Sequence, residues 1–115
     1  MIPSKRNLTD EDVLFIAFNL EKDEANFLLA FKIESAMNKI NSITKKEILN
    51  LSKIDKEDFK LMAYFFRKVG FITVCNTSPR EYCITKDGIF AIKQLLDVQE
   101  RVKMEKEKNT SINLF

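Results

Sequence analysis

Thr44-Lys45-Lys46-Glu47-Ile48-Leu49-Asn50-Leu51 is followed by Ser52-Lys53-Ile54-Asp55-Lys56-Glu57-Asp58-Phe59 and a run to Val69. Then come Gly70-Phe71-Ile72-Thr73-Val74, a turn, and Tyr82-Cys83-Ile84-Thr85-Lys86-Asp87-Gly88. The order of these pieces decides the fold. Thr44 with Glu47 is a capping box, in which hydroxyl and carboxylate satisfy backbone N–H groups that a helix start leaves orphaned. Ile48, Leu49 and Leu51 supply the buried side of that helix, Ser52-Lys53-Ile54 is a turn with Ile54 plugging the core, and Asp55 caps the next helix. The inner face of this second helix is Phe59, Met62, Ala63, Phe66 and Val69. Gly70 stops it, because glycine accepts the left-handed backbone that closes helices. From Phe71 to Asn76 the side chains alternate, with Ile72 and Val74 on one face, and Tyr82 and Ile84 match them on a return strand. That parity pairs Val74 with Tyr82 and leaves an odd loop around Thr77-Ser78-Pro79. It puts Thr73, Cys75, Glu81 and Cys83 on the outer face, with Cys75 and Cys83 as diagonal neighbours. Thr85 caps a last helix with the stripe Ile89, Ile92, Leu95, Leu96, Gln99 and Val102.

Three parts of this stretch are similar to the winged helix-turn-helix family of small transcription regulators. Thr44 to Leu51 resembles the opening of that family's second helix. Val69-Gly70-Phe71-Ile72 resembles the segment after its recognition helix, and Ile84-Thr85-Lys86-Asp87-Gly88 the segment after its wing. The resemblance spans residues 44–88 of a 115-residue chain. The expected fold is α+β, mainly α: a winged helix-turn-helix with extra N-terminal helices and a long C-terminal helix. Residues 1–8 read as a flexible arm and 9–106 as one domain. Within it lie N-terminal helices over 9–40, the helix-turn-helix over 44–69, the wing hairpin over 71–84 and the C-terminal helix over 86–106. Residues 107–115 read as a flexible tail.

The front of the chain carries much apolar surface. Thr9 caps a helix whose first turn holds Asp10, Glu11 and Asp12, placed well for the helix dipole. Val13, Leu14, Ile16, Ala17, Phe18 and Leu20 cover more than one face of it. Asp23 is a candidate cap for a further helix with Phe27, Leu28, Phe31, Ile33, Met37 and Ile40. A continuous helix through 21–24 stays open, since neither Gly nor Pro interrupts it. A helix that is apolar nearly all round needs burial on both sides. A homodimer is therefore expected, through Val13, Ile16, Phe27 and Phe31 and through the seam Ile92, Leu95, Gln99 and Val102. The alternative is an enlarged monomer core.

Composition bounds the chemistry. The chain has 45% hydrophobic residues, enough for one core, and no apolar run near the ~20 residues of a membrane helix. Two cysteines are too few for a disulfide scaffold, so a cytoplasmic protein with no membrane association is expected. Cys75 and Cys83 read as ordinary small strand residues, the alternative being a redox or metal-sensing role. There is no histidine, which removes the commonest general base and metal ligand. Gly70 and Gly88 are the only glycines; Gly70 fits a helix end and the family resemblance gives Gly88 its place after the wing, so no phosphate-cradling loop remains. The acidic clusters Asp10-Glu11-Asp12 and Asp55-Glu57-Asp58 sit at helix starts. Neither an enzyme, a cofactor nor a metal is expected.

Charge is uneven beneath a net +2. Residues 44–70 hold seven Lys/Arg against four Asp/Glu, whereas residues 1–43 hold five against seven. The family resemblance implies double-stranded DNA as the partner, with the 56–69 helix in the major groove and the hairpin on the backbone or minor groove. The base-facing candidates are then Lys56, Glu57, Lys60, Leu61 and Tyr64. Lys45, Lys46, Lys53, Arg67, Lys68 and Arg80 suit phosphates. The second reading is a winged helix used as a protein–protein interaction module in a replication or transcription assembly, through Leu61, Tyr64 and Phe65. The tail suggests a further partner. Ser111-Ile112-Asn113-Leu114-Phe115 is similar to the Leu-Phe peptide that docks on the bacterial sliding clamp. The alternatives are that Leu114 and Phe115 fold back on the domain or lie disordered.

Overall fold

A computed structural model describes residues 8–34 and 42–113. The chain is α+β and mainly helical, with five helices and one three-stranded antiparallel sheet among the described residues. Helix α1 (Asp10–Phe18) opens on the Thr9 hydroxyl, which accepts from the Asp12 N–H, while the Asp12 carboxylate accepts from the Thr9 N–H, both at 3.1 Å. It closes at Asn19, whose side-chain amide donates to the Phe15 carbonyl at 2.7 Å. Helix α2 (Lys22–Glu34) starts anew after this break, so no continuous helix runs through 21–24. Its start is held by Glu24, which accepts from the Glu21 N–H at 2.8 Å. Asp23, the cap candidate, lies inside the helix. Met37 and Ile40 of the expected stripe lie outside the described residues.

Strand β1 (Ile43–Thr44) leads directly into α3 (Lys45–Ser52). The Thr44–Glu47 box forms, with the Thr44 N–H donating to the Glu47 carboxylate at 3.1 Å and the Glu47 N–H to the Thr44 hydroxyl at 3.3 Å. Helix α3 closes on Lys53 in the left-handed conformation, at φ 60°. Helix α4 (Lys56–Val69) follows after Ile54 and Asp55. Asp55 stands at the cap position, but its side chain makes no capping bond. The Asp58 N–H that it would have taken donates instead to the Asp55 backbone carbonyl, at 3.0 Å. Gly70 ends α4 at φ 86°, and the Phe71 N–H returns to the Phe66 carbonyl at 2.9 Å.

Strands β2 (Ile72–Thr77) and β3 (Arg80–Ile84) make the hairpin, and β1 adds to the free side of β3, giving the order β1-β3-β2. Val74 faces Tyr82, as parity requires. The odd residue, however, does not enlarge the loop. It is absorbed as a bulge at Cys75, between Val74 and Asn76, so that Thr77 faces Arg80 across a tight Ser78-Pro79 turn. The bulge changes the fate of the cysteines. Cys83 is 2% exposed, not an outer-face residue, and is joined to Cys75 by a disulfide across a Cα separation of 6.0 Å.

Helix α5 (Lys86–Asn113) runs beyond the expected end at residue 106. The buried Thr85 controls its start. The Thr85 hydroxyl accepts from the Gly88 N–H at 3.2 Å and donates to the Gly70 carbonyl, and the Thr85 N–H donates to the Phe71 carbonyl at 2.9 Å. The end of α4, the return strand and the start of α5 therefore meet at one hydroxyl.

The core is aromatic at its centre. The Phe27 ring lies 5.2 Å from Phe66, 5.5 Å from Phe59 and 6.0 Å from Phe31, and Phe66 continues to Phe71 at 6.2 Å. Each such side chain contributes roughly 1.5–3 kcal/mol on burial. Phe27 thus fastens α2 to α4, while α1 packs along α5.

Candidate nucleic-acid interface

Helix α4 has two sharply different faces. Phe59, Ala63 and Phe66 are buried, while Lys56, Glu57, Lys60, Leu61, Tyr64, Arg67 and Lys68 are all exposed. At 100° per residue these seven occupy one continuous outward arc. The sequence candidates on α4 are therefore brought together on one surface. It carries four cations against the single carboxylate of Glu57, since Asp58 is half-buried at the flank.

The other basic candidates sit on the flanking elements. Lys45 and Lys46 form the exposed first turn of α3. The Lys45 ammonium lies over the Phe59 ring at 5.3 Å, so this cation is held against the core edge. Lys53 occupies the turn between α3 and α4 in a conformation that costs a non-glycine residue roughly 1 kcal/mol or more. Arg80 is exposed at the tip of the hairpin.

Glu81 organises the hairpin behind Arg80. Its carboxylate accepts from the Ser42 hydroxyl at 2.6 Å and from the Asn76 side-chain amide at 2.8 Å. These bonds, Ser42's first, hold the carboxyl below its ordinary value of 4.5. One side chain thereby ties the residue before β1, the bulged strand β2 and β3 together.

The apolar candidates divide. Leu61 is 74% and Tyr64 61% exposed, in the middle of the basic arc. Phe65 is half-buried, edge-on to the Phe66 ring at 5.2 Å, and belongs to the periphery of the core. Of the residues expected at a dimer seam, Val13, Phe27, Phe31 and Ile92 lie inside this chain's own core. Ile16 and Leu95 are half-buried against it, while Gln99 and Val102 are exposed. Helices α1 and α5 expose other apolar side chains instead: Phe15, Phe18, Val98 and Met104. Helical spacing was the signal for the first two, since both point away from Val13 and Ala17. Leu114 and Phe115 lie outside the described residues.

Among the described residues no three His, Cys, Asp or Glu side chains converge as a metal set would require, and no helix is long and apolar enough to cross a membrane. Against protein-family models, curated proteins and solved structures, the chain has no match.

Proposed function

We propose that the chain is a cytoplasmic winged helix-turn-helix protein that binds double-stranded DNA as a homodimer and regulates transcription. The observation that carries this reading is the outward arc of α4, with Lys56, Lys60, Arg67 and Lys68 exposed together. In this reading α3 and α4 are the helix-turn-helix, α4 enters the major groove, and the β2–β3 hairpin is the wing. Lys60 addresses a base edge. Lys46, Lys53, Arg67, Lys68 and Arg80 neutralise phosphates, which position the protein without reading sequence. A second copy is supported by the exposed Phe15 and Phe18 on α1, and by Val98 and Val102, which carry the apolar stripe of α5 onward. The decisive experiment is binding to duplex DNA across a salt series. Phosphate neutralisation requires affinity to fall linearly on a log–log scale; a flat dependence rules the reading out.

The exposed pair Leu61 and Tyr64 favours a second reading, in which the same face docks a protein partner. Leu61→Ala combined with Tyr64→Ala distinguishes the two. It removes the apolar anchors of a protein contact but changes no charge, so the salt-dependent phosphate component of DNA binding stays in place.

A further inference from the structure

We propose that Cys75 and Cys83 form a reversible dithiol–disulfide couple, exchanging with low-molecular-weight thiols, whose closure fixes the β2–β3 hairpin for contact with DNA. The consequence for DNA rests on the reading above; the couple itself rests on the hairpin. The bond joins the bulge residue of β2 to a residue of β3 that faces Thr73. A bulge residue has no partner of its own in the ladder; the cross-link ties Cys75 to β3, with its sulfur 3.6 Å from the Glu81 carbonyl oxygen. Next to it, Asn76 donates to Glu81, and Glu81 in turn accepts from Ser42, outside the hairpin. The position of the bulge is thus passed to the segment that enters β1 and α3.

The bond spans a sequence separation of only 8, between strands that hydrogen bonds already pair. Ile72, Tyr82 and Ile84 anchor the same strands in the core. Opening it therefore leaves the fold in place and frees the outer hairpin. The two sulfurs also differ in access, because Cys75 is exposed and Cys83 is buried. A thiolate from solution attacks the Cys75 sulfur, the S–S bond breaks, and Cys83 leaves as a thiolate and takes a proton. A second thiol then cleaves the mixed disulfide at Cys75. The sum is two thiols oxidised to one low-molecular-weight disulfide and one protein disulfide reduced to two thiols; the reverse reaction closes the pair. In the reducing cytoplasm of the proposed function a permanent cross-link is not maintained, and disulfides found there are mostly transient or redox-sensing.

The test uses the full chain equilibrated in glutathione mixtures of graded thiol-to-disulfide ratio. Alkylation and mass measurement count free thiols, amide exchange follows residues 73–83, and anisotropy reports binding to a mixed-sequence duplex. The expected result is a single two-thiol transition, faster exchange around residues 75–77 in the open form, and duplex binding weaker by about fivefold once the hairpin must be ordered on binding. Cys75→Ser should match the open form in exchange and affinity and ignore the glutathione ratio. Identical hairpin exchange in the two states, or a pair that stays open in oxidised glutathione, overturns the proposal. So does equal affinity with the bond open and closed. If neither form binds duplex while the exchange difference persists, the DNA reading falls and the thiol couple stands.

Discussion

Gly88, in the first turn of α5, lies so close to the carbonyl oxygen of Phe71 that no side chain fits between them. A Cβ there would stand 2.7 Å from Cγ1 of Ile84 and closer still to that oxygen. The same carbonyl accepts the Thr85 N–H, so the approach is part of the junction between hairpin and helix. Gly88→Ala should destabilise the protein by about 1–3 kcal/mol, the usual cost of overpacking. A lowered urea midpoint with an unchanged slope is the expected reading. Gly70→Ala meets no neighbour and is strained only by its positive φ, so it should cost less. Equal losses at the two positions would remove the argument from close approach.

Lys60 and Arg80 separate reading from positioning. On the proposed function, Lys60→Ala narrows the gap between specific and random duplex. Arg80→Ala weakens both about equally and reduces the salt slope by about one unit. Both residues are exposed, so both variants should keep the wild-type melting temperature. Unchanged slopes for Arg80→Ala and for Arg67→Ala would place phosphate elsewhere.

Glu81 gives the hairpin a defined response to acid. Its folded pKa is lowered, so its contribution is complete above the ordinary 4.5 and is lost as pH falls from there through the folded value. Amide exchange of Asn76 and its neighbours should therefore accelerate only below about pH 4.5. Ser42→Ala, which removes the larger cause, should move that midpoint upward. A wild-type midpoint at or above 4.5 contradicts the hydrogen-bond account.

The exposed apolar side chains of α1 and α5 give the oligomer prediction. Sedimentation at micromolar concentration should show a species of twice the 13.4 kDa chain mass. Phe15→Ser combined with Val102→Ser should return it to the monomer with its circular dichroism intact, because neither side chain is buried in the chain's own core. A wild-type monomer at high concentration removes the dimer from the proposed function.

Local chemistry was legible in the sequence. The Thr44–Glu47 box, the Gly70 stop, the pairing of Val74 with Tyr82 and the cap at Thr85 each depend on residues close in sequence, and each was readable from spacing alone. The outward arc of α4 followed for the same reason, since helical period assigns faces without knowledge of the partner. Asp23 is not the cap of α2, because several acids crowd that helix start and spacing does not choose among them. What only the tertiary structure decided was where surplus material goes. The apolar excess of α1 and α2 is largely absorbed in the chain's own core, where Val13, Ala17, Phe27 and Phe31 are buried and Phe27 stacks on Phe66 of α4, leaving Phe15 and Phe18 as the exposed remainder. The odd residue of the hairpin went into a bulge at Cys75 rather than into the loop, and that choice brought two sulfurs together. Periodicity says which side chains share a face, but which face meets which depends on packing between elements far apart in sequence. Strand parity likewise constrains only the sum of bulge and loop; beside the bulge, Glu81 accepts from Asn76 and also from Ser42, a residue far off in sequence that only the folded chain brings there.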